Sequence, residues 1–160
     1  MYINPIQDAL FAAIAAIGFA AISRPPKRAY MYSALIAAIG HSLRLMLING
    51  DIAHLHIIVA TLLAALAIGT LAVFLAPIAK TPAEAYLFPA LLPMIPGIYA
   101  YKAFGGLAMC LLNDGQVAFQ NSFYLFASNA LTCTGIILCM VTGATIPSFV
   151  FKKISFQATR

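Results

Sequence analysis

Charged residues are scarce in this chain. Only nine Lys or Arg and four Asp or Glu occur among its 160 residues, so that 8% are charged while 63% are hydrophobic. Ordinary soluble domains carry about 25% charged residues, and a chain this apolar would not cover a surface that faces water. The composition predicts an all-α integral membrane protein without a soluble domain. Because a membrane-spanning helix needs about 20 residues, the chain is long enough for five such helices.

The sequence also lacks the motifs of nucleotide and metal chemistry. It contains no phosphate-binding loop, no GxGxxG and no HExxH, so no cofactor is predicted. Cys110, Cys133 and Cys139 lie in apolar stretches, which indicates buried thiols and neither a disulfide framework nor a metal site. His54 and His56 are two residues apart and point to different helix faces, so they are not expected to share a metal. The net charge of +5 is taken as a sign of membrane orientation and not of nucleic-acid binding.

Apolar stretches separated by polar or proline-containing turns predict five membrane-spanning helices. Their predicted bounds are residues 6–22, 29–48, 54–76, 86–112 and 119–146. Together they are expected to form a single transmembrane domain over residues 1–160. The first span lacks the basic segment that precedes the apolar core of a signal peptide, so we expect it to remain in the mature protein. In this span Ala12, Ala16 and Ala20 recur every four residues, which permits close approach of another helix.

The basic residues of the predicted loops lie on one side of the membrane. With five spans, the turn at residues 23–28, the loop at residues 77–85 and the C-terminal tail share that side. It carries Arg24, Lys27, Arg28, Lys80, Lys152, Lys153 and Arg160, whereas the other side carries no Lys or Arg. Because basic loops are retained in the cytoplasm, the N-terminus is predicted outside and the C-terminus inside a bacterial-type inner membrane.

The predicted fourth helix is interrupted within the segment Pro93–Gly97. Each proline removes a backbone donor and clashes with the preceding turn, so the helix is predicted to break here. Opened backbone is tolerated in a membrane only where it is buried in protein or lines a polar cavity. Interrupted helices of this kind mark binding sites in transporters, although a simple proline kink is the alternative interpretation.

Ionisable side chains inside membrane spans are costly and indicate functional sites. His41 is predicted near the midplane, either as a residue that carries protons or as a hydrogen-bonded interior histidine. Arg44 lies on nearly the same helix face and is predicted to contact the solute, to reach water or to form an ion pair. Asp8, at a comparable depth, is predicted to pair with Arg44.

The second half of the broken helix begins near Ile98, and its free amides and dipole attract carboxylates. Lys102 follows the break and is predicted to neutralise an anionic solute, or else to face a carboxylate or carbonyls of a partner subunit. Asn129, at a similar depth in the fifth span, is predicted to add a neutral hydrogen bond. The predicted solute-binding residues are Pro93, Pro96, Gly97, Tyr99, Lys102, Arg44 and Asn129.

Several short markers, in order and spacing, resemble the small five-span subunit of the threonine/serine exporter family. They are Gly18-Phe19-Ala20 before Pro26 and Arg28, then Ile39-Gly40-His41 with Arg44 and Gly50, then Pro93-Met94-Ile95-Pro96-Gly97 with Tyr99. The resemblance implies a secondary transporter that exports small carboxylate-bearing metabolites, either threonine and serine or a dicarboxylate such as succinate. It also implies a larger membrane subunit as the partner in a split form. Association of identical copies through the alanine-rich helices is an alternative.

Export against a gradient needs an energy source, and the chain has no nucleotide-binding motif. Proton-motive coupling by antiport through His41 is therefore predicted. One alternative is a regulatory or scaffold membrane subunit without its own transport path. Another is an intramembrane enzyme, which would need a nucleophile, an acid/base pair or a metal cluster. Because the sequence shows no carboxylate at the expected depth of His41, no enzymatic activity is predicted.

Overall fold

The computed structural model describes residues 4–50, 54–112 and 115–157, with side chains to residue 154, and all regular elements in these ranges are helical. The elements are α1 (Pro5–Ser23), α2 (Lys27–Asn49), α3 (Ile57–Ala79), α4 (Glu84–Leu91), a 3₁₀ turn (Leu92–Met94), α5 (Gly97–Leu112), α6 (Gln116–Val150) and α7 (Lys152–Gln157). Arg160, one of the basic residues used to predict orientation, lies outside the described residues.

The membrane-spanning helices correspond to the predicted ones. In the described ranges α1, α2, α3 and α6 are each long and apolar enough to cross a membrane. The pair formed by α4 with its 3₁₀ turn and α5 supplies a fifth candidate span when it is counted as one. The predicted all-α membrane fold with a broken fourth span is confirmed. The orientation of the chain stays a prediction.

The backbone divides into two compact units. The first comprises Met1–Met94 and Cys139–Arg160, and the second comprises Ile95–Leu138. The division falls at the break in the fourth span and again within α6. Each unit is described by itself below, and the single domain over residues 1–160 stays a prediction.

The helical hairpin of α1 and α2 positions the candidate site in the first unit. Asn4 caps α1 by accepting a hydrogen bond from the backbone N–H of Ile6 at 3.2 Å, and Pro5 occupies the first turn, where a missing N–H costs nothing. At its other end α1 stops at Arg24, which adopts a left-handed conformation with φ 46°. The two prolines that follow lead directly into α2, so the two helices run antiparallel.

Small side chains let the helices of the first unit approach closely. Ala12, Ala16 and Ala20 of α1 are at most 3% exposed, which confirms the predicted stripe, and α1 packs against α2. A Cβ added to Gly143 of α6 would lie 2.6 Å from the carbonyl oxygen of Leu62 in α3. Because no side chain fits in that gap, glycine at this position is what allows the two backbones to meet.

A buried tyrosine attaches α4 to the other helices of the first unit. Tyr86 is fully buried, and its hydroxyl donates a hydrogen bond of 2.8 Å to the carbonyl oxygen of Ala72 in α3. Its ring also packs at 5.8 Å from the ring of Tyr32 in α2. These contacts hold α4, and therefore the 3₁₀ turn that follows it, beside α2.

Candidate functional site

The centre of the candidate site is a short contact between the carboxylate of Asp8 in α1 and the imidazole of His41 in α2. Nδ1 of His41 lies 2.6 Å from Oδ2 of Asp8, and the two side chains are 23% and 14% exposed respectively. Asp8 belongs to the first turn of α1, where the positive end of the helix dipole stabilises a carboxylate. The hydroxyl of Ser42 donates to the carbonyl oxygen of Pro5 at 3.1 Å and so holds the first turn of α1 against α2.

The second ring nitrogen of His41 faces the break in the fourth span. Nε2 lies 3.4 Å from the carbonyl oxygen of Pro93. Both neighbours of the ring, a carboxylate and a carbonyl, are hydrogen-bond acceptors. A neutral imidazole has a single N–H donor, whereas the imidazolium has two. The surroundings of His41 therefore satisfy the ring fully only when it carries the additional proton.

Arg44 contacts the next carbonyl of the same break. Its Nη1 donates a hydrogen bond of 3.2 Å to the carbonyl oxygen of Met94. In an uninterrupted helix the carbonyl of Pro93 would accept from the amide of Gly97, but that amide bonds to the carbonyl of Ile95 at 2.8 Å. Two carbonyls that the interrupted ladder releases thus face polar groups of α2, a ring nitrogen of His41 and the guanidinium of Arg44, as backbone opened inside a membrane requires.

These side chains line a cavity of about 210 Å³. The residues around it are Asp8, His41, Arg44, Leu45 and Ile48. Since one water molecule occupies about 30 Å³ of liquid, the cavity has room for several waters or for the polar part of a small metabolite. One acidic, one basic and one titratable group therefore face a common space that is otherwise apolar.

The partner of Asp8 differs from the predicted one. Asp8 was expected to pair with Arg44, whereas the structure places its carboxylate on His41, and Arg44 lines the same cavity. The prediction measured the depth of each residue from the end of its helix that is farther from the connecting turn. Because α2 has 23 residues and α1 has 19, these two ends are not level. Counted from the turn between them, Asp8 lies 15 residues before Ser23 and Ser42 lies 15 residues after Lys27.

This pairing also corrects the argument that was made against an intramembrane enzyme. That argument relied on the absence of a carboxylate at the depth of His41, and it is wrong because Asp8 supplies one. Sequence reasoning likewise missed Ser42 and the carbonyl of Met94. Counting both helices from their common turn would have found Asp8 and Ser42, whereas the contact between Arg44 and Met94 has no signal in the sequence.

The predicted solute-binding residues are divided between the two units. Arg44 and Pro93 lie in the first unit with His41, and the other five lie in the second: Pro96, Gly97, Tyr99, Lys102 and Asn129. Lys102 is exposed, and the side chain of Asn129 donates a hydrogen bond of 2.7 Å to the carbonyl of Leu125 in its own helix. The roles of these five residues stay predictions. Over the described residues, no three His, Cys, Asp or Glu side chains come together as metal ligands.

Comparison with known proteins identifies the family. The family model described as "Threonine/Serine exporter, ThrE" matches residues 8–150. The chain belongs to this family. The resemblance seen in the sequence is thus confirmed, and this is a multi-pass membrane protein of a transporter family.

The chain is similar to a protein of Haemophilus influenzae (strain ATCC 51907 / DSM 11121 / KW20 / Rd), named "Uncharacterized protein". The two are 33% identical over 149 residues, which make up 92% of this chain and 48% of that protein. The chain therefore spans about half the length of this curated relative. No solved structure matches the chain.

Proposed function

We propose that the chain is one half of a secondary transporter that exports small carboxylate-bearing metabolites across a bacterial-type inner membrane. The observation that carries the proposal is the cavity where Asp8, His41 and Arg44 meet beside the opened backbone of the fourth span. In many transporters the solute and the coupling ion bind near discontinuous helices. A scaffold subunit would have no need to keep three ionisable groups around an apolar cavity.

The other half is proposed to be a larger membrane subunit of the same family. Support comes from the relative that is about twice as long, since this chain corresponds to 48% of it. An odd number of spans adds to the argument, because a five-span half with the opposite orientation would make the two halves inverted repeats. Solute sites in such transporters lie at the interface of the repeats. Association of identical copies is the alternative.

Arg44 is the proposed primary ligand of the solute carboxylate. A guanidinium presents a planar fork of donors that matches a carboxylate, and Arg44 lines the cavity together with Asp8 and His41. Lys102 is proposed as a second cation that neutralises an anionic solute. The candidate solutes are threonine, serine or a dicarboxylate such as succinate.

His41 is the proposed proton carrier. One ring nitrogen faces the carboxylate of Asp8 and the other faces the carbonyl of Pro93, so the ring stands between two hydrogen-bond acceptors. A proton gradient would then supply the energy for export, with one proton entering as the solute leaves.

Efflux from proteoliposomes tests the proposal. Vesicles containing this chain with the larger subunit of its family, or either one alone, are preloaded with labelled threonine, serine or succinate, and efflux is followed with and without an imposed pH gradient. We expect efflux of one solute class that needs both subunits and the gradient. Arg44→Gln with Lys102→Met should abolish it, whereas the control His54→Gln, at an exposed position outside the cavity, should not.

Two results would overturn the proposal. One is the absence of efflux of all three solutes from vesicles in which both subunits are inserted. The other is wild-type affinity in the Arg44→Gln, Lys102→Met double variant, which would exclude these cations from the solute site.

A further inference from the structure

We propose that binding of the proton and binding of the solute compete at Asp8. Its carboxylate would hold either the protonated imidazole of His41 or the ammonium group of an amino-acid solute whose carboxylate lies on Arg44. This inference rests on the proposed function and adds to it the order of events at the site and the class of solute.

The geometry around His41 and Asp8 favours the binding of a proton on the imidazole ring. The ring of His41 has an acceptor at each nitrogen, Oδ2 of Asp8 at 2.6 Å and the carbonyl oxygen of Pro93 at 3.4 Å. When the ring loses its second proton, one nitrogen lone pair must face one of these acceptors. Release of the proton therefore leaves Asp8 with at most a neutral hydrogen-bond donor on His41, so the negative charge of its carboxylate can attract another cation.

The charges around the cavity match a zwitterion once that proton has left. Asp8 and Arg44, which line the same small cavity, then contribute one negative and one positive charge, and His41 is neutral. An amino acid carries an ammonium and a carboxylate a short distance apart, so it can contact both side chains at once. With His41 protonated, Asp8 already has a cationic partner.

Other ionisable groups near α1 and α2 do not change this assignment. The elements packed against these helices are α3, α4 and the 3₁₀ turn. His54 and His56 stand just before α3, and over the described residues neither belongs to the lining of the cavity. Glu84 is an exposed residue of the first turn of α4, and Tyr86 donates to Ala72.

The sign of the pH dependence distinguishes an amino acid from a dicarboxylate. If the ammonium group replaces the proton-bearing imidazole at Asp8, each solute bound releases up to one proton. By linkage, the affinity then falls as the pH falls, by up to about tenfold per pH unit when one proton is released for each solute bound. A dicarboxylate has no ammonium group and would gain from the additional positive charge, so its affinity would rise on acidification. Only the first sign produces exchange of solute for proton.

Equilibrium binding of labelled threonine to the two-subunit complex, between about pH 5 and pH 8, tests the inference. We expect the wild-type affinity to increase with pH and binding to release protons into weakly buffered solution. His41→Gln should bind threonine with an affinity that no longer depends on pH in this range. The Asp8→Asn variant should bind threonine at least about tenfold more weakly at high pH. This factor corresponds to about 1.4 kcal/mol, the loss expected when one charged contact is removed.

Glu84→Gln is the matched control, because Glu84 is also an acidic residue in the first turn of a helix, away from the cavity. It should reproduce the wild-type pH dependence. The inference is overturned if wild-type affinity for threonine rises on acidification, if binding releases no proton, or if His41→Gln keeps the full pH dependence. The proton-release measurement needs only the wild-type complex, so the outcome does not depend on the folding of a variant.

The two proposals fail in different ways. If the wild-type complex neither binds nor transports any of the three labelled solutes, the exporter function itself is overturned. If succinate is transported and binds more tightly at low pH, the exporter stands and competition at Asp8 is overturned.

Discussion

Nδ1 of His41 lies 2.6 Å from Oδ2 of Asp8, so that a side-chain contact connects the first turn of α1 to the C-terminal half of α2. The pair is formed within a single helical hairpin, and the hydroxyl of Ser42 strengthens it by holding Pro5 in place. Because the other nitrogen of His41 faces Pro93, the same ring connects the hairpin to the break in the fourth span.

The first prediction concerns the energy of this pair. Asp8→Asn or His41→Gln alone should lower the free energy of unfolding by about 1–3 kcal/mol, because each leaves a partly buried polar partner poorly satisfied. Asparagine and glutamine can bond to each other, so the double variant should recover part of the loss, with a coupling energy of about 0.5–3 kcal/mol. Thermal or denaturant unfolding in detergent measures these values. Strict additivity of the two single effects would contradict a direct interaction.

The second prediction compares adjacent glycines of α5. A Cβ on Gly106 would lie 2.6 Å from the backbone nitrogen of Phe126 in α6, whereas a Cβ on Gly105 meets nothing within 4 Å. Gly106→Ala should therefore destabilise the protein by about 1–3 kcal/mol through overpacking. Gly105→Ala should be neutral or stabilising by up to about 1 kcal/mol, because alanine is the better helix former. Equal melting temperatures of the two variants would contradict the close contact of α5 and α6.

The third prediction tests the attachment of α4. Tyr86→Phe removes the hydroxyl that donates to Ala72 at 2.8 Å inside the core. The loss of one buried hydrogen bond should cost about 0.5–1.5 kcal/mol of unfolding free energy. Tyr124→Phe is the control, since Tyr124 is 75% exposed, and its stability should equal that of the wild type. A stable Tyr86→Phe variant would show that packing against Tyr32 alone holds α4.

The fourth prediction concerns the prolines of the break. Pro93→Ala with Pro96→Ala restores two amide donors, which can bond to the carbonyls of residues 89 and 92 and extend the helix. We expect the double variant to remain folded but to lose solute binding, because the carbonyls facing His41 and Arg44 would be displaced. Pro77→Ala in α3, also a proline inside a helix, is the control and should bind normally. Unchanged solute binding in the double variant would contradict a role of the break in the site.

The fifth prediction tests the orientation. In a variant without the native cysteines, Asn49→Cys at the end of α2 should react with a membrane-impermeant maleimide applied to intact cells. Lys27→Cys at the start of α2 should react only after permeabilisation, because basic loops are retained in the cytoplasm. The opposite labelling pattern would show that the N-terminus is inside.

The helices were predictable to within a few residues at most of their ends, and the differences have local causes. The third span was expected from residue 54, but α3 begins at Ile57 because the side chain of His56 caps it by accepting from the amide of Ile58. The fifth span was expected over residues 119–146, whereas α6 covers Gln116–Val150 and continues past Pro147. A proline late in a helix did not end it, and hydropathy does not detect such continuation.

The candidate site was predictable only in part. His41 and Arg44 were selected because ionisable groups inside apolar spans are costly, and Pro93 because proline must interrupt the helix ladder. The partner of His41 was not predicted, since it depends on how far α2 extends beyond α1. The contact between Arg44 and Met94 depends on where the 3₁₀ turn lies against α2, which no local pattern encodes.

Hydropathy and the missing proline donors act locally along the chain, so the amino-acid sequence was sufficient to predict a helical membrane protein with one interrupted span. It was also sufficient to identify the family, because the markers are recognised by their order and spacing along the chain. In contrast, the contact of Asp8 with His41 and the contacts of the released carbonyls with side chains of α2 could be found only in the three-dimensional structure. These contacts join residues 33 to 52 positions apart. Their formation depends on the relative positions of whole helices, which are set by the summed packing of many small side chains and not by any one residue.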